Sequence, residues 1–76
     1  MTITPKQCRA ARELLDWNQT RLAKAANVSL STISDFERGA RTPITNNRTA
    51  IERALALSGI HLIGKTGVNL SRRKFR

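Results

Sequence analysis

The run QTRLAKAANVSLSTISDFER at residues 19–38 decides how this chain folds. Its apolar residues fall at Leu22, Ala23, Ala26, Val28, Ile33 and Phe36, and the pattern changes phase between Ala26 and Val28, so no single helix keeps them all on one face. Two short helices meeting at an angle do. Asn27 sits at the break, where the chain leaving a helix often turns left-handed and Asn is the commonest choice after Gly. Ser29 then restarts a helix as N-cap. Ala23 is small where the two helices approach most closely, and Leu22, Val28, Ile33 and Phe36 fill the wedge between them.

Upstream, Ile3-Thr4-Pro5-Lys6-Gln7 reads as a helix start, with Thr4 as N-cap, Pro5 at the first helical position, Gln7 placed to close a capping box and Ile3 stapled to Cys8. Cys8, Ala11, Leu14 and Leu15 recur at helical spacing and form a core stripe, while Lys6, Arg9 and Glu13 face out. The helix is expected to stop near Asp16. Trp17-Asn18 repeats the device with Leu22, and Val28-Ser29 repeats it with Ile33. Three successive helices thus begin with an apolar residue, a cap and a second apolar residue five positions after the first. The first connection must be very short.

Downstream, Gly39 suits the residue that closes the third helix, and Arg41-Thr42-Pro43 cannot continue it. Ile44 is expected to turn inward. A fourth helix runs from Thr45 or Asn46 to Ser58 with Ala50, Ile51, Ala54 and Leu55 on one face; Thr45, Asn46 and Asn47 all compete as its cap. Gly59 followed by Ile60 ends it as a Schellman motif does, with Ile60 against Leu55. Ile60-His61-Leu62-Ile63 and Val68-Asn69-Leu70 then read as a hairpin with a four-residue loop, Gly64-Lys65-Thr66-Gly67. A lone hairpin is marginal in water, so it must pack on the helices or pair with a second chain. Residues 71–76 carry four cations and no acid, and their end is expected to be mobile.

Seventy-six residues make one domain. A chain this short buries only about 60% of its unfolded surface, so a partner can matter energetically. Fourteen Lys and Arg against five Asp and Glu give a net charge of +9, which favours a polyanionic partner. The excess is uneven: residues 1–38 carry +2 and residues 39–76 carry +7. A sole cysteine, Cys8, excludes an internal disulfide and a Cys-cluster zinc site, and its apolar surroundings suit a small buried side chain. His61 has no Cys or carboxylate at ligand spacing, and neither a Gly-rich phosphate loop nor a nucleophile motif is present. No catalytic residue, metal or cofactor is assigned. No apolar run approaches the ~20 residues of a membrane span and the N-terminus lacks a signal-peptide core, so a cytoplasmic location is expected.

Gln19, Leu22, Ala23, Val28-Ser29, Thr32-Ile33 and Phe36-Glu37-Arg38-Gly39 together resemble the helix-turn-helix of the lambda-repressor-like (Cro/CI-type, XRE) DNA-binding family, over roughly residues 4–58. Asn27 departs from the family's usual Gly but tolerates the same backbone conformation. The resemblance implies that residues 29–38 form a recognition helix in the DNA major groove. It also implies a phosphate contact from Gln19 at the start of the second helix, and a partly buried ion pair between Arg12 and Glu37 that fixes orientation rather than adding much stability.

On the third helix Ile33 and Phe36 point inward, which leaves Leu30, Ser31, Ser34, Asp35 and Arg38 outside. Leu30 suits a thymine methyl, and Ser31 and Ser34 suit base edges. Ser29 and Thr32 lie nearer the boundary, where Thr32 contacts a phosphate or helps the cap. Asp35 is repelled by phosphate yet can accept from cytosine N4. Arg38, Arg41, Thr42, Asn47 and Arg48 cluster around the following loop, as phosphate contacts or as a solvated loop.

These readings predict a mainly α fold: a four-helix, lambda-repressor-like helix-turn-helix domain over residues 1–59, with a short C-terminal β-hairpin and basic tail over residues 60–76 in the same single domain. The expected function is sequence-specific binding of double-stranded DNA, with repression from an inverted-repeat operator bound by a homodimer whose contact is the hairpin. No small-molecule ligand is expected. The alternative is a protein-binding module on the same fold, an antiactivator or antitoxin; nonspecific nucleic-acid binding is a third.

Overall fold

A computed structural model describes residues 2–71. The order is α1 (Pro5–Leu14), α2 (Gln19–Ala26), α3 (Leu30–Glu37), α4 (Thr45–Leu57), β1 (Ile60–Ile63) and β2 (Gly67–Leu70). This is the mainly helical, hairpin-ended fold expected from the sequence. The basic tail after Ser71 lies outside the described residues.

Three helices start on side-chain caps. Thr4 Oγ1 accepts from the Gln7 N–H (3.2 Å) while Gln7 Oε1 accepts from the Thr4 N–H (3.1 Å), a reciprocal capping box. Asn18 Oδ1 accepts from Arg21 N–H at 2.8 Å, and Ser29 Oγ from Thr32 N–H at 3.1 Å. The first two reversals between helices use left-handed residues other than glycine, Asp16 (φ 59°) and Asn27 (φ 58°). Asp and Asn tolerate that region because their short polar side chains bond locally. Asn27 therefore supplies the turn that lets α3 leave α2 at an angle.

The core draws on every helix and on β1. Ile3, Cys8 and Ala11 come from the first segment, Leu22, Ala23 and Ala26 from α2, Ile33 and Phe36 from α3, Ile51, Ala54 and Leu55 from α4, and Ile60 from β1. Burying each large aliphatic side chain contributes about 1.5–3 kcal/mol, which is how eight-residue helices persist here when they would not in isolation.

Four sequence expectations need correction. Leu14 is 43% exposed, because it lies on the edge of the stripe that Cys8, Ala11 and Leu15 define. The fourth helix has no side-chain cap: Ile44 occupies the N-cap position, and Thr45, Asn46 and Asn47 already lie inside the first turn. Ile44 does not turn inward; it is 68% exposed, and the core closes without it. The hairpin loop has three residues rather than four, since Ile63 pairs with Gly67. A Cβ on Gly67 would lie 2.9 Å from the Ile63 carbonyl oxygen, so only glycine lets the strands close that early.

The hairpin packs on the helices, with β1 against α4 and β2 against α1. At its base Gly59 adopts φ 98° and its carbonyl accepts from Ser71 N–H at 2.8 Å; a Cβ there would stand 2.7 Å from the Ser71 oxygen. At its tip the fully buried Gln7 side chain donates from Nε2 to the Gly64 and Gly67 carbonyls, each at 3.0 Å, and Thr4 Oγ1 donates to the Lys65 carbonyl at 2.8 Å. One glutamine thus caps α1 and holds the hairpin turn. The Ile3 N–H donates to Glu52 Oε2 (2.8 Å), tying the chain start to α4 as well.

Gln7→Ala leaves two hairpin carbonyls without their partner and opens a small void. It is expected to lower stability by about 1–2 kcal/mol in chemical denaturation. Hydrogen exchange is expected to report the loss most strongly across residues 60–70.

Candidate nucleic-acid interface

The orientation of α3 is set at its last residue. Glu37 receives Arg12 through two parallel bonds, Nε to Oε2 at 2.7 Å and Nη2 to Oε1 at 2.8 Å. Gln19 Nε2 donates to Oε1 at 3.1 Å and Cys8 Sγ to Oε2 at 3.2 Å. Arg12 also reaches the Trp17 carbonyl with Nη1 (2.9 Å). The side chains of Arg12 and Glu37 are only 13% and 3% exposed. One carboxylate therefore joins α1, α2 and α3.

Burial is the largest single influence on Glu37 and pushes its pKa upward, but hydrogen bonds from Arg12, Gln19 and Cys8 and the charge of Arg12 together outweigh it. The carboxyl is held below the ordinary carboxylate range. The hydrogen bond to Glu37 raises Arg12 in turn. Burial, followed by the negative charge of Glu37, pushes the Cys8 thiol far up, so it stays protonated and serves as a donor.

With its inner face so fixed, α3 turns Leu30 (48% exposed) and Ser31 outward, with Ser34 and Asp35 half-buried beside them. Ser29 and Thr32 share a hydroxyl–hydroxyl bond of 2.8 Å next to the cap. Asp35 is paired with Arg38 one turn on, Nη2 to Oδ1 at 2.6 Å. That pairing is exposed and adds little stability, yet it offsets the carboxylate charge that would repel a phosphate.

Between α3 and the loop that follows it lies a cleft of about 330 Å³. Ser29, Ser31, Thr32 and Asp35 form one wall, and Arg41, Thr42 and Asn47 stand on the other. Seven of the sequence-derived site residues thus meet in one place. Gln19, Leu30, Ser34, Arg38 and Arg48 do not line it. Gln19 is half-buried and spends one amide hydrogen on Glu37, which leaves its second amide hydrogen, its carboxamide oxygen and the main-chain N–H of the α2 start for other partners.

Pro43 and Ile44 also line the cleft, and sequence reasoning missed them. A signal existed. Each earlier helix start has an apolar residue five positions after the first, whereas five positions after Ile44 stands Thr49, which offers no staple. The Gln19 and Cys8 bonds to Glu37 left no such trace, because they depend on how three helices cross.

None of the four helices carries an acidic residue in its first turn. Their positive ends are uncompensated, and the α4 start, which opens beside Arg41 and Asn47, lacks a side-chain acceptor too. Arg21 stacks over Trp17 (5.1 Å to the ring centroid) on the outer side of α2. Among the described residues no three His, Cys, Asp or Glu gather as a metal site, and no helix is long and apolar enough to cross a membrane.

Comparison with known proteins adds one match. A family model described as helix-turn-helix covers residues 9–59, from α1 to the end of α4. No curated protein matches the chain.

Glu37→Gln removes the charge that Arg12 is buried against and is expected to cost about 3 kcal/mol of stability in denaturant titrations at neutral pH. The pH dependence has a definite sign. Because the native pKa of Glu37 lies below the ordinary 4.5, its contribution is complete above that value and is lost as pH falls through the lower native one. The variant is expected to show a shallower loss of stability in that acid range.

Proposed function

Because the chain belongs to the Cro/CI-type (XRE) helix-turn-helix family of DNA-binding regulators, we propose that it is a sequence-specific transcriptional repressor that binds an inverted-repeat operator as a homodimer. It acts by occupancy and not as an enzyme, in the cytoplasm, and needs no cofactor or small-molecule ligand. The observation that carries this reading is the cleft: a polar helix face on one wall, a basic loop and an uncapped helix start on the other.

In this reading α3 enters the major groove. Leu30 meets a thymine methyl, Ser31 and Ser34 meet base edges, and Asp35 accepts from a cytosine amine while Arg38 balances its charge. Gln19, Ser29, Thr32, Arg38, Arg41, Thr42, Asn47 and Arg48 hold the flanking phosphates. Arg12 and Glu37 contact no DNA and fix the angle of the reading helix. Residues 1–59 supply the DNA-binding unit, and residues 60–76 belong to the same domain.

An eight-residue helix is about 12 Å long and reads only a few base pairs. Useful specificity requires two copies, on half-sites about 34 Å apart. The hairpin is the proposed contact between them. Its outer face shows His61, Ile63 and Asn69, and Ile63 is 57% exposed. Ile63→Glu is expected to keep the fold and to convert dimers to monomers in sedimentation equilibrium; an unchanged dimer would place the contact elsewhere.

One observation favours a second reading, a protein-binding module. Leu57 is 83% exposed at the rim of a groove that Ala25, Ala26 and Ala50 help to form. Selection of bound sites from random duplex DNA separates the two. An inverted repeat is expected, and replacing Leu30 and Ser31 with Ala is expected to abolish the sequence preference while residual, salt-sensitive binding remains. No enrichment by the natural chain defeats the DNA reading.

A further inference from the structure

The wall of the cleft opposite α3 carries a residue that phosphate binding does not explain. Arg41, Thr42 and Asn47 are the charged and hydrogen-bonding groups a phosphate calls for. Ile44 stands among them with 68% of its surface open to solvent, on an extended backbone (φ −62°, ψ 158°) just after Pro43. Its position is stiff, since the preceding proline has a fixed φ and Arg48 N–H holds the Ile44 carbonyl at 3.0 Å. A nucleic-acid strand presents phosphates and sugars in alternation. An aliphatic side chain set between phosphate-binding groups therefore faces a sugar.

We propose that Ile44 packs against the C2′ methylene of a deoxyribose in the strand seated in this cleft, and that it makes the site selective for deoxyribose over ribose at that nucleotide. The inference rests on the proposal that this face binds duplex DNA. A ribose there would turn its 2′-hydroxyl, both a donor and an acceptor, onto a branched hydrocarbon that offers neither partner. Removing a hydroxyl from water without a replacement bond is unfavourable. The occupant is set by charge: the same wall holds Arg41 and a helix start that has neither an acidic residue nor a side-chain cap.

The test uses the whole chain and an operator selected from random duplex DNA, with a single ribonucleotide walked through each position. The natural chain is expected to bind about tenfold more weakly when the ribonucleotide reaches one position in each half-site. Ile44→Thr, which keeps the branched shape and adds a hydroxyl, is expected to lose most of that penalty; Ile44→Val is expected to keep it. Melting temperatures no lower than that of the natural chain show that the fold is intact in both variants; that of Ile44→Thr is expected to rise, because a threonine at this N-cap position accepts from a first-turn N–H. If no position has a penalty that depends on residue 44, the inference falls while the DNA reading stands. If the natural chain selects no operator, both fall.

Discussion

The carboxylate of Glu37 is the constraint on which the rest of the molecule depends. Four donors from α1 and α2 converge on it, two from Arg12 and one each from Gln19 and Cys8. Burial alone would raise the pKa of such a group, and the donors together with the charge of Arg12 reverse that direction. The net energy of a buried ion pair is modest, because desolvation offsets most of the attraction. What the arrangement supplies is direction: an arginine fork donates to a carboxylate in one plane, which favours one azimuth of α3 relative to the two helices that precede it. An eight-residue helix held only by Ile33 and Phe36 would have more freedom to roll.

The second constraint works from the other end of the chain. Gln7 and Thr4 grip the hairpin turn through three carbonyls, and Glu52 holds the Ile3 amide. A two-stranded hairpin is marginal by itself, and here its inner face, Ile60, Leu62, Val68 and Leu70, becomes part of the common core. The outer face, with Ile63, is left free. The helical body and the strands therefore share one core, and α3 lies among elements that hydrogen bonds from Ile3, Thr4 and Gln7 tie to α4 and to the hairpin turn.

Much of this was legible in the sequence because it is local. Helix starts at Thr4, Asn18 and Ser29 announce themselves by a cap and an apolar pair, and Asn27 marks the reversal by its tolerance of a left-handed backbone. Most of the residues chosen for the DNA face gather along α3 and the loop beyond it for the same reason: helical spacing separates Ser31 and Asp35 from Ile33 and Phe36. Errors came where a residue's fate depends on the crossing of distant elements. Leu14 has helical spacing but sits at the stripe's edge, and Ile44 is apolar but has no core position to fill. Gly67 joins a strand because Ile63 comes close to it. Gln7 is legible as the closing residue of a capping box and Gln19 as the head of a helix, but their second bonds, to the hairpin turn and to Glu37, emerge only when those elements are placed against them.

The clasp between Gln7 and the hairpin turn joins residues 57 and 60 positions apart. Synthesis runs from the N-terminus, so the first helix is made long before the carbonyls that its glutamine will hold. A nascent chain therefore carries Gln7 without those acceptors until Gly67 has been added, and the clasp on the first helix closes only after the hairpin turn has been made.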